Sequence, residues 1–267
     1  MTPAIDETLR PAGSRRADAS GVTGFYPYGE RIMADYTLYY WPFPFRGQFV
    51  RAVLSHAGAS WEEAGDNEIA ALMAAEPTAQ LVPHMGPPVL TDHGRNIHLS
   101  QMPAILAYLG EKHRLLPDDP VLNAMSHKIV ADANDVLYEM TRYNGAQVWT
   151  DGTWKEFQPR LARWMGIFEE TGRRHGLAAG SGFMLGTQAP GLADIVTAIL
   201  WGTMTARFAP LRAMLDRHAP AIAGLSDRIA ALPAQVELRN RSDAMYGDDW
   251  CGGQIEASLR AVLKLPA

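Results

Sequence analysis

The groups best able to do chemistry crowd into one run, YTLYYWPFPFRG, from Tyr36 to Gly47. A neutral phenol has a pKa of about 10, so at neutral pH it can donate a hydrogen bond to an anion without giving up its own proton. From Arg46 onward, Phe49, Val50, Val53, Leu54 and Ala57 recur at helical spacing, and Gly58 stands where a left-handed C-terminal glycine is expected. The aromatic run before them reads as a strand, ended by Pro42 and Pro44 because proline supplies no ladder donor. A phenol at that junction lies beside a helix N-terminus, where unpaired N–H groups add positive potential. Strand alternation puts Tyr39 and Tyr40 on opposite faces. Residue type alone assigns an aromatic in a central strand to packing, and that reading stands beside the chemical one.

The other reactive residue types form no such constellation. Cys251 is the single cysteine, which excludes an internal disulfide, a Cys-x-x-Cys pair and a cysteine-rich zinc site, and leaves a buried or idle thiol. His84, His93 and His98 lack companion ligands, so no metal is expected. The 267 residues, 47% hydrophobic and 20% charged, fit a globular chain of one large or two ordinary domains. A formal net charge of -5, with no run of Lys and Arg interleaved with aromatics, argues against a nucleic-acid partner. No apolar run reaches the roughly 20 residues of a membrane span, and the N-terminus has no signal-peptide core, so no membrane partner and a cytoplasmic location are expected.

Stepwise along the chain, residues 1–33 show no apolar periodicity and read as a floppy extension. SWEEAG reads as a short strand, NEIAALMAAE as a helix, and PPVLTDHGRNIHLS as two strands around a turn. Ser100 can N-cap the next helix, with Pro103 in its first turn. The order is β-α-β-α-β-β-α over residues 34–114. Beyond it the pattern is helix after helix to residue 250, with a helical tail at 251–267. Asp119–Pro120 opens one helix, TWKE from Thr153 another that ends near Gly176, and Gly191 with Asp194 a third.

In this order the motifs resemble the cytosolic glutathione S-transferases, which pair a thioredoxin-like α/β domain with an all-α C-terminal domain. PPVL…LSQMPAILAYL resembles their Pro-Val-Leu strand, hairpin and Gln-Ser-x-x-Ile helix, and GFMLGTQAPGLADI their Phe-x-x-Gly…Ala-Asp motif. YYWPFPFRG is similar to the mu and pi class pattern of tyrosine, aromatic, short loop and Arg-Gly. The resemblance implies that Tyr40 is catalytic and stabilises the thiolate of glutathione, the co-substrate, for attack on a small hydrophobic electrophile. It places Trp41, Arg46, Pro87, Gln101 and Met102 at the glutathione site, with Asp132 or Asp135 as the acidic contact reaching across a homodimer. Tyr138, Tyr143, Met204, Tyr246 and Trp250 are the candidates for the electrophile pocket.

Three departures temper the match. The loop after Tyr40 is longer than in the mu and pi patterns, Met102 replaces a serine hydroxyl, and Pro87, before the expected cis Pro88, has no N–H to offer the peptide. They leave two alternatives beside conjugation. One is a different glutathione-dependent reaction, such as peroxide reduction, isomerisation or ether cleavage. The other is a non-catalytic binding or assembly protein of the same fold.

Overall fold

The computed structural model describes residues 34–266. The expectation for residues 1–33 falls outside them. The first half is built as expected: β1 (Tyr36–Tyr39), α1 (Arg46–His56), β2 (Trp61–Glu63), α2 (Asp66–Ala74), β3 (Val89–Asp92), β4 (Ile97–Ser100) and α3 (Met102–Lys112). The sheet order is β2-β1-β3-β4, with β2 parallel to β1 and both other pairs antiparallel. The β1–α1–β2 crossover lays α1 on the sheet, and its Phe49, Val50, Val53 and Leu54 are buried there.

Register, more than topology, decides which loops meet. Tyr39 pairs with Val89, and Val89 pairs with Ser100. The chain before β3, the chain after β4 and the residue after β1 therefore meet at one edge of the sheet. Pro87–Pro88, Gln101 and Tyr40 are thus brought together.

Helices make up the rest: α4 (Pro120–Met140), a short turn α5 (Arg142–Gly145), α6 (Asp151–Arg174), α7 (Leu192–Arg207), α8 (Ala209–His218), α9 (Pro220–Ala230), α10 (Pro233–Tyr246) and α11 (Gly253–Val262). The axis of this layer is α7, whose Leu192, Ile195, Val196, Leu200 and Trp201 are buried among α1, α4 and α9. No described helix is long and apolar enough to cross a membrane.

Helix ends follow the capping residues, with two corrections. Asp119 accepts from the N–H groups of Val121 and Leu122, as expected for a cap before Pro120. Ser100, however, belongs to β4, and the residue that precedes α3 is Gln101, at φ 71 and without a side-chain cap. α6 opens earlier than TWKE suggests: Thr150 is its cap and accepts from the Thr153 N–H at 3.2 Å, while Thr153 Oγ1 accepts from the Thr150 N–H. Threonine at both positions makes the reciprocal pair that the glutamate was expected to complete.

The buried Asp194 joins a loop to a helix start. Its carboxylate accepts from Gly191 N–H at 2.9 Å and from Met184 N–H at 2.7 Å, tying the preceding loop to the start of α7. Asp194→Ala leaves both donors buried without a partner, at about 1 to 3 kcal/mol for the orphaned groups. Urea unfolding of this variant should show a lower midpoint at unchanged slope; an unchanged midpoint would remove the cap from the stability of the helical layer.

Candidate functional site

Tyr40 follows β1 directly and turns its ring onto the first turn of α1. The approach is close enough to require glycine: a Cβ on Gly47 would stand 2.5 Å from the Tyr40 ring. Only 6% of Tyr40 is exposed, and burial pushes its phenol up to about 12, against the opposing pull of the Arg46 guanidinium, the Arg46 backbone N–H and Arg51. The phenol is neutral at physiological pH and available as a donor.

Besides burial, the groups that act on its titration are the Arg46 backbone N–H, the Arg46 and Arg51 guanidiniums and, weakly, the Cys251 thiol. Arg46 donates from Nη2 to Asn144 Oδ1 at 2.9 Å and lies 4.9 Å over the Phe45 ring. Burial lowers its pKa, and no carboxylate pairs with it among the described residues. Arg46 is therefore a largely uncompensated positive charge beside the phenol.

A second arginine fixes the loop itself. Arg51, 4% exposed, forms an ion pair with Glu63 at 2.7 Å. The same guanidinium donates to the carbonyls of Trp41 at 3.1 Å, Phe43 at 3.3 Å and Tyr40 at 3.5 Å. Arg51 was not among the sequence candidates, although a lone charge within the apolar run FVRAVL is a signal for it.

The helical layer supplies the facing wall. Arg142, Tyr143 and Asn144 all have positive φ, at 48, 64 and 55, and this left-handed turn carries Asn144 to Arg46. Tyr138 and Tyr143 stand 5.4 Å apart beside it, each more than two-fifths exposed. The end of α10 and the segment after it also reach the loop that follows β1. Tyr246 packs on Phe43 at 5.0 Å, Trp250 on Phe45 at 5.0 Å, and a Cβ on Gly252 would meet the Phe43 ring at 2.9 Å. Glu256, 3% exposed, clamps this segment by accepting from three successive N–H groups, those of Trp250, Cys251 and Gly252, at 2.8, 2.8 and 2.7 Å. The Cys251 thiol it presents is pushed up, by burial first and by the Glu256 charge second. That thiol stays protonated and is a poor nucleophile.

The remaining sequence candidates divide. Trp41 is 37% exposed and edge-on to Tyr40 at 5.8 Å. The Pro87–Pro88 bond is cis, Gln101 is exposed, and Met102 is buried at 1% exposure. Met204 and Trp250, expected in the electrophile pocket, are 1% and 0% exposed and offer no surface to a ligand: Met204 is packed in the core and Trp250 lies between Phe45 and Phe208. Asp132 pairs with Lys128 at 2.5 Å, whereas Asp135 is exposed on α4 with its pKa raised by desolvation and by its acidic neighbours Asp132 and Glu139.

Comparison with known proteins bears on the fold and on the family. Among curated proteins none matches in sequence. Among solved structures, a Pi-class glutathione S-transferase of Onchocerca volvulus superposes with a TM-score of 0.62 at 16% identity, over 79% of this chain and 95% of that one. Ure2p in complex with glutathione gives 0.63 at 18% identity, over 79% and 95%. A glutathione transferase family member from Pseudomonas fluorescens, with two glutathione bound, gives 0.60 at 17%, over 78% and 94%. Likeness at such identities establishes the fold. The family comes from sequence: the profile of the glutathione S-transferase C-terminal domain matches residues 125–262, more than half of the chain. The chain belongs to the glutathione S-transferase family.

Proposed function

We propose that the protein binds glutathione at the edge formed by Tyr40, Pro87 and Gln101, and conjugates its thiolate to small hydrophobic electrophiles. The observation that carries this reading is the buried, neutral Tyr40 phenol beside the uncompensated Arg46 charge and the first N–H of α1. A thiol with a pKa of about 8.5 is only a few per cent thiolate at neutral pH. The phenol stabilises the thiolate by donating a hydrogen bond to it, and Arg46 stabilises it by charge. The proton leaves to solvent; the sulfur lone pair then forms the C–S bond as the electrophile's leaving group departs or its conjugated system takes up the electrons. Tyr138 and Tyr143 are the apolar wall nearest Arg46, and Asp132 or Asp135 is the acidic group offered to a partner in a two-fold homodimer. The cytoplasm, where glutathione is held reduced, suits such chemistry.

A second reading, a glutathione-transferase-fold protein that binds without catalysis, is favoured by Pro87 and by the buried thioether of Met102 where a hydroxyl would meet the peptide. The other glutathione-dependent reactions share the phenol and differ in the electrophile.

Tyr40→Phe separates catalysis from binding. Conjugation of a chlorodinitrobenzene should fall by about tenfold or more while glutathione still raises the melting temperature; equal turnover removes Tyr40 from the mechanism, and no glutathione shift in either protein removes the site. Because the folded phenol titrates well above the free value, folding favours its protonated form. The associated stability is complete below pH 10 and is lost as pH rises toward about 12. The ultraviolet difference between wild type and Tyr40→Phe should accordingly show no tyrosinate between pH 6 and 9.

Two further tests concern affinity and assembly. Pro87→Val restores an N–H and should tighten glutathione binding by about 2- to 12-fold, the worth of one net hydrogen bond; calorimetry that finds no gain in the folded variant means that the peptide does not run along this segment. Sedimentation should give twice the 29.3 kDa chain mass, and a monomer at all concentrations excludes the homodimer.

A further inference from the structure

Among the described residues, the partners of Arg46 are all neutral. Its Nη2 donates to Asn144 Oδ1 at 2.9 Å, its guanidinium lies over the Phe45 ring, and the titratable groups that act on it are the Tyr40 phenol and the Cys251 thiol. Burial keeps both of those protonated at neutral pH. The carboxylate whose charge acts on Cys251, Glu256, is already engaged by three N–H groups and by Arg260.

Of these partners only Asn144 fixes the direction of the guanidinium. A guanidinium has donors alone, so the Asn144 atom that faces it is the oxygen. A left-handed backbone suits Asn and Asp alike, and Asn144 has φ 55 and ψ 37. A carboxylate at that place would add the attraction of opposite charges, and would cancel the field of the guanidinium at the phenol. The amide holds the group and leaves its charge.

The turn that carries Asn144 is itself held from behind. Three successive residues other than glycine in the left-handed region persist only where the surroundings fix them. Here Gly145 N–H donates to the Thr141 carbonyl at 2.8 Å, and a Cβ on Gly145 would stand 3.0 Å from Ile255 Cδ1 of α11. Arg142 lies 4.9 Å over the Trp149 ring, and Trp149 N–H donates to Ser258 Oγ of α11 at 3.0 Å. The C-terminal helix therefore backs the turn that holds Arg46.

We infer that Asn144 is a positioning residue for the thiolate reaction: its neutral amide aims Arg46 without neutralising it, so that the full charge is left for the sulfur beside Tyr40. This rests on the reading of Tyr40 and Arg46 given above. Asn144 touches neither sulfur nor electrophile in this account and acts only through the guanidinium.

The test is the pH dependence of conjugation at saturating glutathione, read together with the ultraviolet thiolate absorbance of the bound peptide. Asn144→Asp keeps the shape of the side chain and, at this exposed position, should melt no lower than wild type. It should nevertheless move both profiles upward by about one pH unit, a roughly tenfold loss on the acid side that closes at high pH. Asn144→Gly, which retains the left-handed turn, should move them less, and should do nothing further once Arg46→Gln is present. Profiles of Asn144→Asp that coincide with wild type overturn the inference, as does an Asn144→Gly shift that is equal with and without Arg46. A wild type that binds glutathione and never ionises it removes the Tyr40 reading and this one together, whereas a wild-type thiolate indifferent to Asn144→Asp removes this one alone.

Discussion

The site depends on a half-buried ion pair, Arg51 with Glu63, set under the loop that follows β1. One guanidinium joins α1 to the end of β2 and at the same time ties down three carbonyls between Tyr40 and Phe43. Removing Glu63 would leave the buried Arg51 charge without its carboxylate, at a cost below that of a fully buried pair because Glu63 is itself partly exposed. Here the loss would fall on the segment that aims the phenol. Pro42 and Pro44 stiffen the same segment from within, since their φ is fixed. Phe43 and Phe45 are then held in place as anchors on which Tyr246, Trp250 and Gly252 can pack.

Helix α1 is consequently the shared element of both layers. Its first residue reaches Asn144 on the left-handed turn, its Gln48 side chain donates to Ser242 on α10 at 3.1 Å, and Ser55 near its end donates to the Ala234 carbonyl at 2.9 Å. The Ala52 carbonyl accepts from Gln235. These bonds are buried or partly buried away from the exposed Arg46–Asn144 contact, so they resist competition from water. A cavity of about 230 Å³ lies against this seam, lined by Gln48 of α1 and by Pro44 from the loop that carries Tyr40.

Much of this was legible in the residues. The aromatic-dense run, the helical spacing after Arg46 and the Asp119–Pro120 and Gly191–Asp194 starts mark elements that the structure repeats, because each rests on neighbours within one or two turns. Boundaries slipped where two residues could serve one role. Ser100 was a plausible cap until strand pairing with Val89 claimed it. Tertiary partners were out of reach. Nothing local tells that Arg46 meets Asn144 98 positions away, or that Gln48 meets Ser242 194 positions away. Aromatic type on a helix or tail does not separate Tyr138 at the surface from Trp250 at 0% exposure. Cys251 read as an idle thiol, and its raised pKa agrees, but its place near Tyr40 depends on the Glu256 clamp that only the fold brings together.

That cysteine also reveals how the surroundings treat sulfur. Two acidic groups of different kinds, the Tyr40 phenol and the Cys251 thiol, are both held above their ordinary pKa values, and in both the first cause is burial. An environment that disfavours phenolate and thiolate alike is one of low effective dielectric, and it would keep a guest thiol protonated as well if burial acted alone. The same low dielectric strengthens every direct donor and nearby charge. Thiolate forms there only if specific contacts overcome burial, and those on hand are the phenol hydrogen, the α1 N-terminus and the Arg46 guanidinium. Cys251 is the comparison inside the molecule: its strongest charged neighbour is the Glu256 carboxylate, which raises its pKa further, with Arg46 only a smaller opposing influence. Glu256 is not among the groups that act on the Tyr40 phenol, where Arg46 is the first opposing influence to burial. A thiolate bound beside Tyr40, as proposed, therefore depends on the phenol and Arg46 together outweighing the burial that keeps Cys251 protonated.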